Sequence, residues 1–218
     1  MLSTKIICTI GPASESPKNL AELAEAGMNV ARLNFSHGTH QSHKKIIEQI
    51  RNLNKDRQYP IAIMLDTQGP EIRTGDKEIT LISGKRVCVT VPPNEESEGT
   101  LFVNYVDLKD DMKEGSCISL DGGLMSLKVC GKNKKGIECE VIDGGVVKAH
   151  RHVNLPGAIV KLPGITETDK QDILFGIEQK VDVIALSFVR SSETIREVRA
   201  SLGVHAKNIK LIAKIENQ

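Results

Sequence analysis

Five short apolar segments, each followed by a polar tip and a stretch of helical periodicity, constrain the fold of this chain most strongly. The segments are KIICTI (5–10), NVARLNF (29–35), IAIML (61–65), VDVIALSF (181–188) and IKLIAKI (209–215). The third and fourth are almost continuously apolar, which is typical of parallel strands buried on both faces. Strands that alternate with helices predict a parallel α/β sheet, either doubly wound or closed as a (β/α)₈ barrel.

The stretches between these strands carry the start and stop signals of helices. Ser16 followed by Pro17 predicts an N-cap and a first helical residue, and Gly27 predicts the end of the same helix. Apolar periodicity predicts two more helices, over 39–55 and 191–203, and a threonine cap with an acidic first turn that includes Asp169 predicts another over 166–180. These helices supply the crossovers that parallel strands require.

Residues 70–161 show a different sequence pattern, in which short strand-like runs are separated by glycine, proline and charged residues. The runs are ITLI, RVCVTV, CISL, MSLKVC and IECEVI. Strands at this spacing predict a small antiparallel β-sandwich or barrel. The predicted organisation is therefore a first barrel part over 1–69, an inserted all-β domain over 70–161, and a continuation of the barrel over 162–218.

Composition excludes several classes of function. The 29 Lys and Arg residues balance 28 Asp and Glu residues, and aromatic residues make up only 3%, so neither a basic field nor stacking side chains indicate a nucleic-acid partner. No apolar run approaches the roughly 20 residues needed to span a bilayer, and the N-terminus does not resemble a secretory signal. Five scattered cysteines without a CxxC pair indicate reduced thiols in a cytoplasmic protein.

Cationic and acidic residues follow the predicted strands at the points where the strands end. Arg32, Arg73 and Lys214 suit a small, highly charged anion such as a phosphoryl group, and Glu216 offers a hard oxygen for a divalent ion. In parallel barrels the carboxyl ends of the strands carry the active site. Cations and metal ligands without a nucleophile–base pair indicate phosphoryl transfer. The chain has neither a P-loop nor a GxGxxG motif.

A second group of tip residues offers only oxygen atoms. Its members are Asn34, Ser36, Asp66 and Thr67, and such a set suits a hard monovalent or divalent cation. Each tip also has a purely structural interpretation: Asn34 or Ser36 as a helix cap, Asp66 in an Asx turn, and Arg73 paired with Glu71. The functional interpretation is favoured because all the tips fall at one end of the predicted parallel strands.

Three histidines follow the second strand at positions i, i+3 and i+6. A zinc site at His37, His40 and His43 stays open but is not favoured, because i+6 lies far around a helix and no cysteine or carboxylate completes the site. We expect a solvated or capping role for His40 and His43. His37 is the exception, because it lies inside the polar tip.

The motifs RLNFSHG (32–38), LDTQGPEIRTG (65–75) and KIEN (214–217) together resemble the pyruvate kinase family. TKIICTIGPAS and VDVIALSFVR accompany them in the family's order and at its spacing. The resemblance implies a (β/α)₈ barrel with a β-domain inserted after the third barrel strand, then a C-terminal α/β domain. It also implies a cytoplasmic, homotetrameric parent that converts phosphoenolpyruvate and ADP to pyruvate and ATP.

The resemblance further implies a role for each tip residue. Arg32 holds the transferring phosphoryl group, Lys214 neutralises its charge, and Glu216 is one of two carboxylates that bind Mg²⁺ or Mn²⁺. Arg73 and His37 lie near the nucleotide phosphates. The monovalent cation, K⁺, is bound by Asn34, Ser36, Asp66 and the carbonyl of Thr67.

The sequence reaches Gln218 soon after KIEN, where members of the family continue with further strands and the second metal carboxylate. We therefore expect a truncated barrel of about five strands, inactive alone, and either marginally stable or paired with another copy through its open edge. Two alternatives stay open. One is a Mg²⁺-dependent lyase or aldolase built on the same type of phosphoenolpyruvate-binding barrel, and the other is a non-catalytic module that binds through the β-domain.

Overall fold

The computed structural model describes residues 4–94, 97–158 and 160–216, which fall into two compact units. Unit 1 is formed by the chain up to Pro70 together with Pro163–Glu216, and unit 2 is formed by Glu71–Leu162. Unit 2 is therefore inserted into unit 1 along the chain. Among the described residues, no helix combines the length and apolar character needed to cross a membrane.

Helices and strands alternate in unit 1, whereas short strands dominate unit 2. In chain order the elements are β1 (Ile6–Ile10), α1 (Pro17–Glu25), β2 (Met28–Asn34), α2 (His40–Asn54), β3 (Ala62–Asp66), β4 (Ile79–Leu81), β5 (Arg86–Thr90), β6 (Thr100–Phe102), α3 (Leu108–Asp111), β7 (Cys117–Leu120), β8 (Met125–Lys132), β9 (Gly136–Asp143), β10 (Gly145–Val147), β11 (Val153–Asn154), α4 (Glu167–Glu178), β12 (Val183–Leu186), α5 (Ser192–Leu202) and β13 (Lys210–Ala213). Short 3₁₀ segments lie at Asp121–Gly123 and Gly203–Lys207.

The sheet of unit 1 contains five parallel strands in the order β1-β2-β3-β12-β13. Asp66 of β3 lies opposite Asn34 of β2 on one side and Ala185 of β12 on the other. The carboxyl ends of these neighbouring strands therefore coincide at one edge of the sheet. The parallel sheet with helical crossovers and a β-rich insertion confirms the predicted fold class.

Helix caps and apolar stripes account for the helices of unit 1. Ser16 accepts a hydrogen bond from the backbone N–H of Asn19, as predicted for an N-cap, and Thr39 and Thr166 cap α2 and α4 through capping boxes. Ile47 and Ile50 of α2 are completely buried against the sheet. Burial of about 1.5–3 kcal/mol per large apolar side chain stabilises this layer more than helix propensity does.

Unit 2 consists of a six-stranded sheet in the order β11-β7-β8-β9-β5-β6 and a two-stranded sheet of β10 and β4. All five predicted strand runs are present. The pairings are antiparallel except for β5 and β6, which run parallel because the connection between them is not a hairpin turn. Three strands were not predicted, namely β6, β10 and β11, because two or three residues are too few to show a period.

The segments by which the chain enters and leaves unit 2 pair with each other. Arg73 and His152 form an antiparallel bridge. Beside it, the N–H of Val153 donates to the carbonyl of Ile72 at 2.8 Å. Both ends of unit 2 are thus held together by its own backbone.

A buried polar group, the Tyr105 hydroxyl, belongs to the core of unit 2. The Tyr105 side chain is almost completely buried, and its hydroxyl donates to the carboxylate of Asp111 and accepts from the backbone N–H of Lys161. The Lys161 ammonium lies 2.8 Å from the same carboxylate. Burial raises the pKa of Tyr105 to about 12, and the hydrogen bonds from Lys161 and Tyr105 lower the pKa of Asp111.

Candidate functional site

Polar side chains from four strands meet around one carboxylate at the carboxyl edge of the parallel sheet. We call Arg32, Asp66, Thr67, Ser187 and Lys214 the Asp66 cluster. Arg32 lies in β2 and Asp66 ends β3, whereas Ser187 and Lys214 follow β12 and β13 directly. The convergence follows from the topology, because the carboxyl ends of parallel neighbours share an edge.

Each oxygen of the Asp66 carboxylate binds a different cation. The Nε of Arg32 donates to Oδ2 at 2.6 Å, and Nη2 of the same guanidinium lies 2.5 Å from that oxygen. The ammonium of Lys214 donates to Oδ1 at 2.9 Å. The Asp66 side chain is 2% exposed, whereas the two cations are each 29% exposed. Within the Asp66 cluster itself, two partly exposed cations against one buried carboxylate give a net positive charge, which suits an anion. The Glu216 carboxylate, 3.6 Å from Lys214, offsets this charge unless it binds a metal ion.

Hydrogen bonds between Thr67 and Ser187 join the ends of the neighbouring strands β3 and β12. The Ser187 hydroxyl donates to the carbonyl of Thr67 at 2.6 Å, and the N–H of Ser187 donates to Oγ1 of Thr67 at 3.2 Å. Both residues are buried. These bonds fix the backbone that follows β3, residues 67–70, which we call the strand-three tip. The tip includes the Thr67 carbonyl that is predicted to bind K⁺.

Glu216 lies at the end of the fifth strand, close to the Asp66 cluster. Its Oε2 accepts a hydrogen bond from the N–H of Phe188 at 2.9 Å, and its Oε1 lies 3.6 Å from the Lys214 ammonium. The side chain is 36% exposed. A hard, exposed carboxylate of this kind fits Mg²⁺, which takes one or two carboxylates and fills its remaining positions with water and substrate oxygens. The fourth residue of KIEN, Asn217, lies outside the described residues.

The oxygen-only group predicted to bind a monovalent cation begins with an aligned pair on neighbouring strands. Asn34 and Asp66 are register partners in β2 and β3, and Oδ1 of Asn34 accepts from the N–H of Ser36 at 3.1 Å. Carbonyl and carboxylate oxygens keep a second lone pair when they accept one hydrogen bond. Asn34 Oδ1 and the Thr67 carbonyl, which each accept one side-chain or backbone hydrogen bond given above, therefore fit a hard cation, whereas the Asp66 oxygens already bind Lys214 and Arg32. Neither Asn34 nor Ser36 caps α2, because Thr39 does so.

His37 and His43 occupy different environments. His37 is exposed, and its carbonyl accepts a hydrogen bond from Nε2 of His43 at 2.8 Å. His43 is buried and stacks on the ring of Phe35, with the ring centroids 4.1 Å apart. The prediction for His43 was a solvated or capping role, and the solvated role is wrong because the ring is buried against an aromatic side chain. Burial lowers the pKa of His43.

His40 pairs with a buried carboxylate of α4, the next helix of unit 1. Its Nε2 lies 2.6 Å from Oδ1 of Asp172 in α4, and its ring stacks on Phe175. Burial raises the pKa of Asp172. This contact joins α2 to α4 and makes His40 a partly exposed structural residue.

Asp169 holds the strand-three tip through a hydrogen bond to the backbone of Gly69. The Asp169 carboxylate is 1% exposed, accepts from the N–H of Gly69 at 2.9 Å, and caps α4 through Thr166. Gly69 has φ +74°, and a Cβ at this position would lie 2.9 Å from both Cβ and the carbonyl oxygen of Ser187. Sequence reasoning identified Asp169 only as a first-turn acid, and did not select Gly69 or Ser187.

Arg73 is the one predicted site residue that lies in unit 2. Its guanidinium binds the carboxylate of Glu71 and donates to the carbonyl of His150 at 2.8 Å. The structural alternative considered for Arg73, a pair with Glu71, is therefore present. Within the part of the chain that the structure describes, no group of three or more His, Cys, Asp or Glu side chains is arranged to hold a metal ion.

Known proteins similar to this chain agree on one family. The family model described as "Pyruvate kinase, barrel domain" matches residues 1–218. A pyruvate kinase of Sporosarcina psychrophila is 47% identical over 100% of this chain and 38% of its own length. A pyruvate kinase of Geobacillus stearothermophilus is 49% identical, and plastidial pyruvate kinase 2 of Arabidopsis thaliana is 44% identical. Those matches cover 99% and 98% of this chain and 38% of each relative.

The chain thus spans about two fifths of the length of these curated relatives. The match runs through both units, because it covers the parallel strands, the inserted β-rich segment and the tip residues alike. With the parallel sheet, the inserted unit and the Asp66 cluster already in place, this agreement over the whole chain shows that it belongs to the pyruvate kinase family.

Proposed function

We propose that the protein containing this chain transfers a phosphoryl group from phosphoenolpyruvate to ADP, giving pyruvate and ATP. The observation that carries the proposal is the Asp66 cluster, in which one buried carboxylate holds a guanidinium and an ammonium at the carboxyl edge of a parallel sheet. Phosphoryl transfer proceeds through a loose transition state whose charge spreads over the equatorial oxygens. Prepositioned cations lower the energy of such a state more than that of the separated reactants.

Each residue of the site has a role in this proposal. Arg32 binds the transferring phosphoryl group with the N–H donors of its guanidinium that remain beside those to Asp66 and Thr9, and Lys214 faces the same group as a point charge. Asp66 holds both cations at a fixed separation, so that little reorganisation accompanies the reaction. His37 and Arg73 are proposed contacts of the nucleotide phosphates.

Two cations complete the proposed site. Mg²⁺ or Mn²⁺ at Glu216 would neutralise charge on the substrate phosphates. K⁺ would bind the oxygen-only group of Asn34, Ser36, Asp66 and the Thr67 carbonyl, beside the phosphoryl position. We also propose a cytoplasmic, homotetrameric parent; all five cysteines are free thiols, which fits a reducing compartment.

The test uses the product of the complete reading frame, with the 218-residue chain measured in parallel. Pyruvate formation from phosphoenolpyruvate should require ADP, Mg²⁺ and K⁺. Arg32→Gln should lower kcat/KM at least about 100-fold, because it removes a charged contact to the transferring group. Arg199→Gln, at an exposed position of α5, is the matched control and should leave kcat/KM within about 2-fold.

Three results would contradict the proposal: no ADP-dependent pyruvate, equal effects of Arg32→Gln and Arg199→Gln, or cleavage of a 2-keto acid without ADP. The last would indicate the lyase or aldolase alternative. A separate titration of the 218-residue chain with K⁺, at constant ionic strength set by tetramethylammonium, tests the monovalent site. The backbone amides of Asn34 and Thr67 should shift saturably with K⁺ and stay unchanged with the larger ion.

A further inference from the structure

Ser187 contacts two groups of the Asp66 cluster with one hydroxyl. Lys214 Nζ donates to Ser187 Oγ at 2.8 Å, and Ser187 Oγ lies 2.6 Å from the carbonyl oxygen of Thr67. An ammonium has only donors and a carbonyl has only acceptors, so the direction of both bonds is fixed. Ser187 accepts from Lys214 and gives its single proton to Thr67.

We infer that Ser187 is a positioning residue that orients the ammonium of Lys214 toward the anion of the proposed reaction, an inference that rests on the proposed function. An ammonium carries three N–H donors. Within residues 4–94, 97–158 and 160–216, two of the three have acceptors at hydrogen-bond distance, namely Asp66 and Ser187. The Glu216 carboxylate lies farther away, with Oε1 at 3.6 Å, and is the proposed metal ligand. Two fixed bonds set the direction of the third N–H, which is left for the substrate.

The backbone makes this arrangement rigid. The N–H of Lys214 donates to the carbonyl of Leu186 at 3.0 Å, and the N–H of Val189 donates to the carbonyl of Lys214 at 3.0 Å. These bonds continue the pairing of β12 and β13 past the last ladder residues and fix Ser187 beside Lys214. Gly69 packs closely against the Ser187 side chain, and it can do so because it has no Cβ.

Without the Ser187 hydroxyl, the remaining acceptor within hydrogen-bond distance of Lys214 is the Asp66 carboxylate, which Arg32 also binds, whereas Glu216 Oε1 lies 3.6 Å away. A single bond to Asp66 leaves the ammonium free to rotate about that contact. The charge of Lys214 is unchanged, so ground-state attraction of an anion stays. What is lost is the alignment of the third N–H with the group in transfer, and such a loss acts on kcat more than on KM.

The first measurement observes Lys214 directly in the 218-residue chain and needs no activity. Lysine side chains are labelled with ¹³C and ¹⁵N, and the Lys214 signal is assigned by its disappearance in Lys214→Arg. In Ser187→Ala the ammonium protons of Lys214 should exchange with water about 10-fold faster than in the parent chain. Ser201→Ala, an exposed serine of α5, is the matched control and should leave the exchange rate unchanged.

A second pair of variants separates the hydroxyl from side-chain volume. Ser187→Thr keeps a hydroxyl and Ser187→Val has nearly the same shape without one, so any crowding against Gly69 is common to both. Lys214 should exchange more slowly in Ser187→Thr than in Ser187→Val. Equal exchange rates within this pair, or in Ser187→Ala and Ser201→Ala, would overturn the inference.

Kinetics of the complete gene product give the functional readout. Ser187→Ala should lower kcat about 10- to 100-fold, with KM for phosphoenolpyruvate changed less than about 3-fold. A change confined to KM would overturn the inference while leaving phosphoryl transfer itself in place. An unmutated protein without ADP-dependent pyruvate formation would instead refute the proposed function, and the exchange rates would still decide whether Ser187 orients Lys214.

Discussion

Replacing Gly69 by alanine should destabilise unit 1 through two separate effects. Gly69 has φ +74°, a left-handed conformation that costs an L-residue about 1–2 kcal/mol. The new Cβ would also lie 2.9 Å from Cβ and the carbonyl oxygen of Ser187, and 3.0 Å from the ring of Phe188. Neither the Cβ nor the carbonyl of Ser187 can rotate away, so a further about 1–3 kcal/mol is expected from overpacking. The total is about 2–5 kcal/mol.

Gly157→Ala isolates the first effect. Gly157 has the same φ of +74°, is exposed, and has no atom within 4 Å of the position of an added Cβ. It should cost only the left-handed term, about 1–2 kcal/mol. The loss of glycine's unfolded-state freedom is the same for both variants and cancels when they are compared.

Denaturant-dependent hydrogen exchange is the suitable assay, because Gly69 and Gly157 lie in different units. Exchange of the slowest amides gives a free energy of unfolding for each unit, and each variant is referred to the unmutated value of its own unit. Gly69→Ala should exceed Gly157→Ala by about 1–3 kcal/mol. Equal losses would refute the claim that close packing against Ser187 fixes the strand-three tip.

Further predictions concern both units. Tyr105→Phe should destabilise unit 2 by about 1–3 kcal/mol, because the Asp111 carboxylate and the Lys161 N–H lose their hydrogen-bond partner. The control Tyr59→Phe, at an exposed position, should have little effect in the same exchange experiment. The pKa of Asp111 is lowered from 3.8. The ionised Asp111 carboxylate therefore stabilises unit 2 fully above that pH, and this stabilisation is lost as the pH falls through the lowered value. The free energy of unfolding should consequently fall less steeply with decreasing pH in Asp111→Asn. Because the pKa of Tyr105 is raised from 10.0 to about 12, its stabilisation is complete below pH 10.0 and lost as the pH rises toward 12, and an alkaline titration of Tyr105→Phe should lack this loss. Asp169→Ala should destabilise unit 1 by about 2–4 kcal/mol by removing a helix cap and the acceptor of the Gly69 N–H, with partial recovery in Asp169→Asn; an unchanged exchange rate would contradict this.

The elements that sequence predicted well are those with strong local signals. The N-cap at Ser16, the threonine cap of α4 and the five parallel strands all follow from patterns within a few residues. The cap of α2 was not predicted, because Thr39 rather than Asn34 or Ser36 fills that position. Strands of two or three residues lack such a pattern, which explains why β6, β10 and β11 were missed. The parallel pairing of β5 and β6 depends on the path of the intervening chain and leaves no periodic signal.

The sequence predicted which strand ends carry the site residues, but not which of those residues bind each other. Position at the carboxyl ends of parallel strands brings Arg32, Asp66 and Lys214 together, as the alternation of strands and helices implies. Sequence alone does not determine which cation a carboxylate binds, and Asp66 was assigned only to the oxygen-only group. Ser187 contacts Thr67 across 120 residues, and Asp169 contacts Gly69 across 100. Contacts so distant along the chain appear in no local motif.

The bridge between Arg73 and His152 has a consequence for the kinetics of folding. Pairing β3 with β12 closes a loop of roughly 120 residues if unit 2 is unfolded, but of only roughly 40 once the ends of unit 2 are joined. Loop-closure entropy then favours the second route by about 1 kcal/mol, which is about a fivefold difference in rate if closure limits folding. We therefore expect the inserted unit to form first and to act as a clamp on the chain, so that the two halves of the parallel sheet find each other as near neighbours.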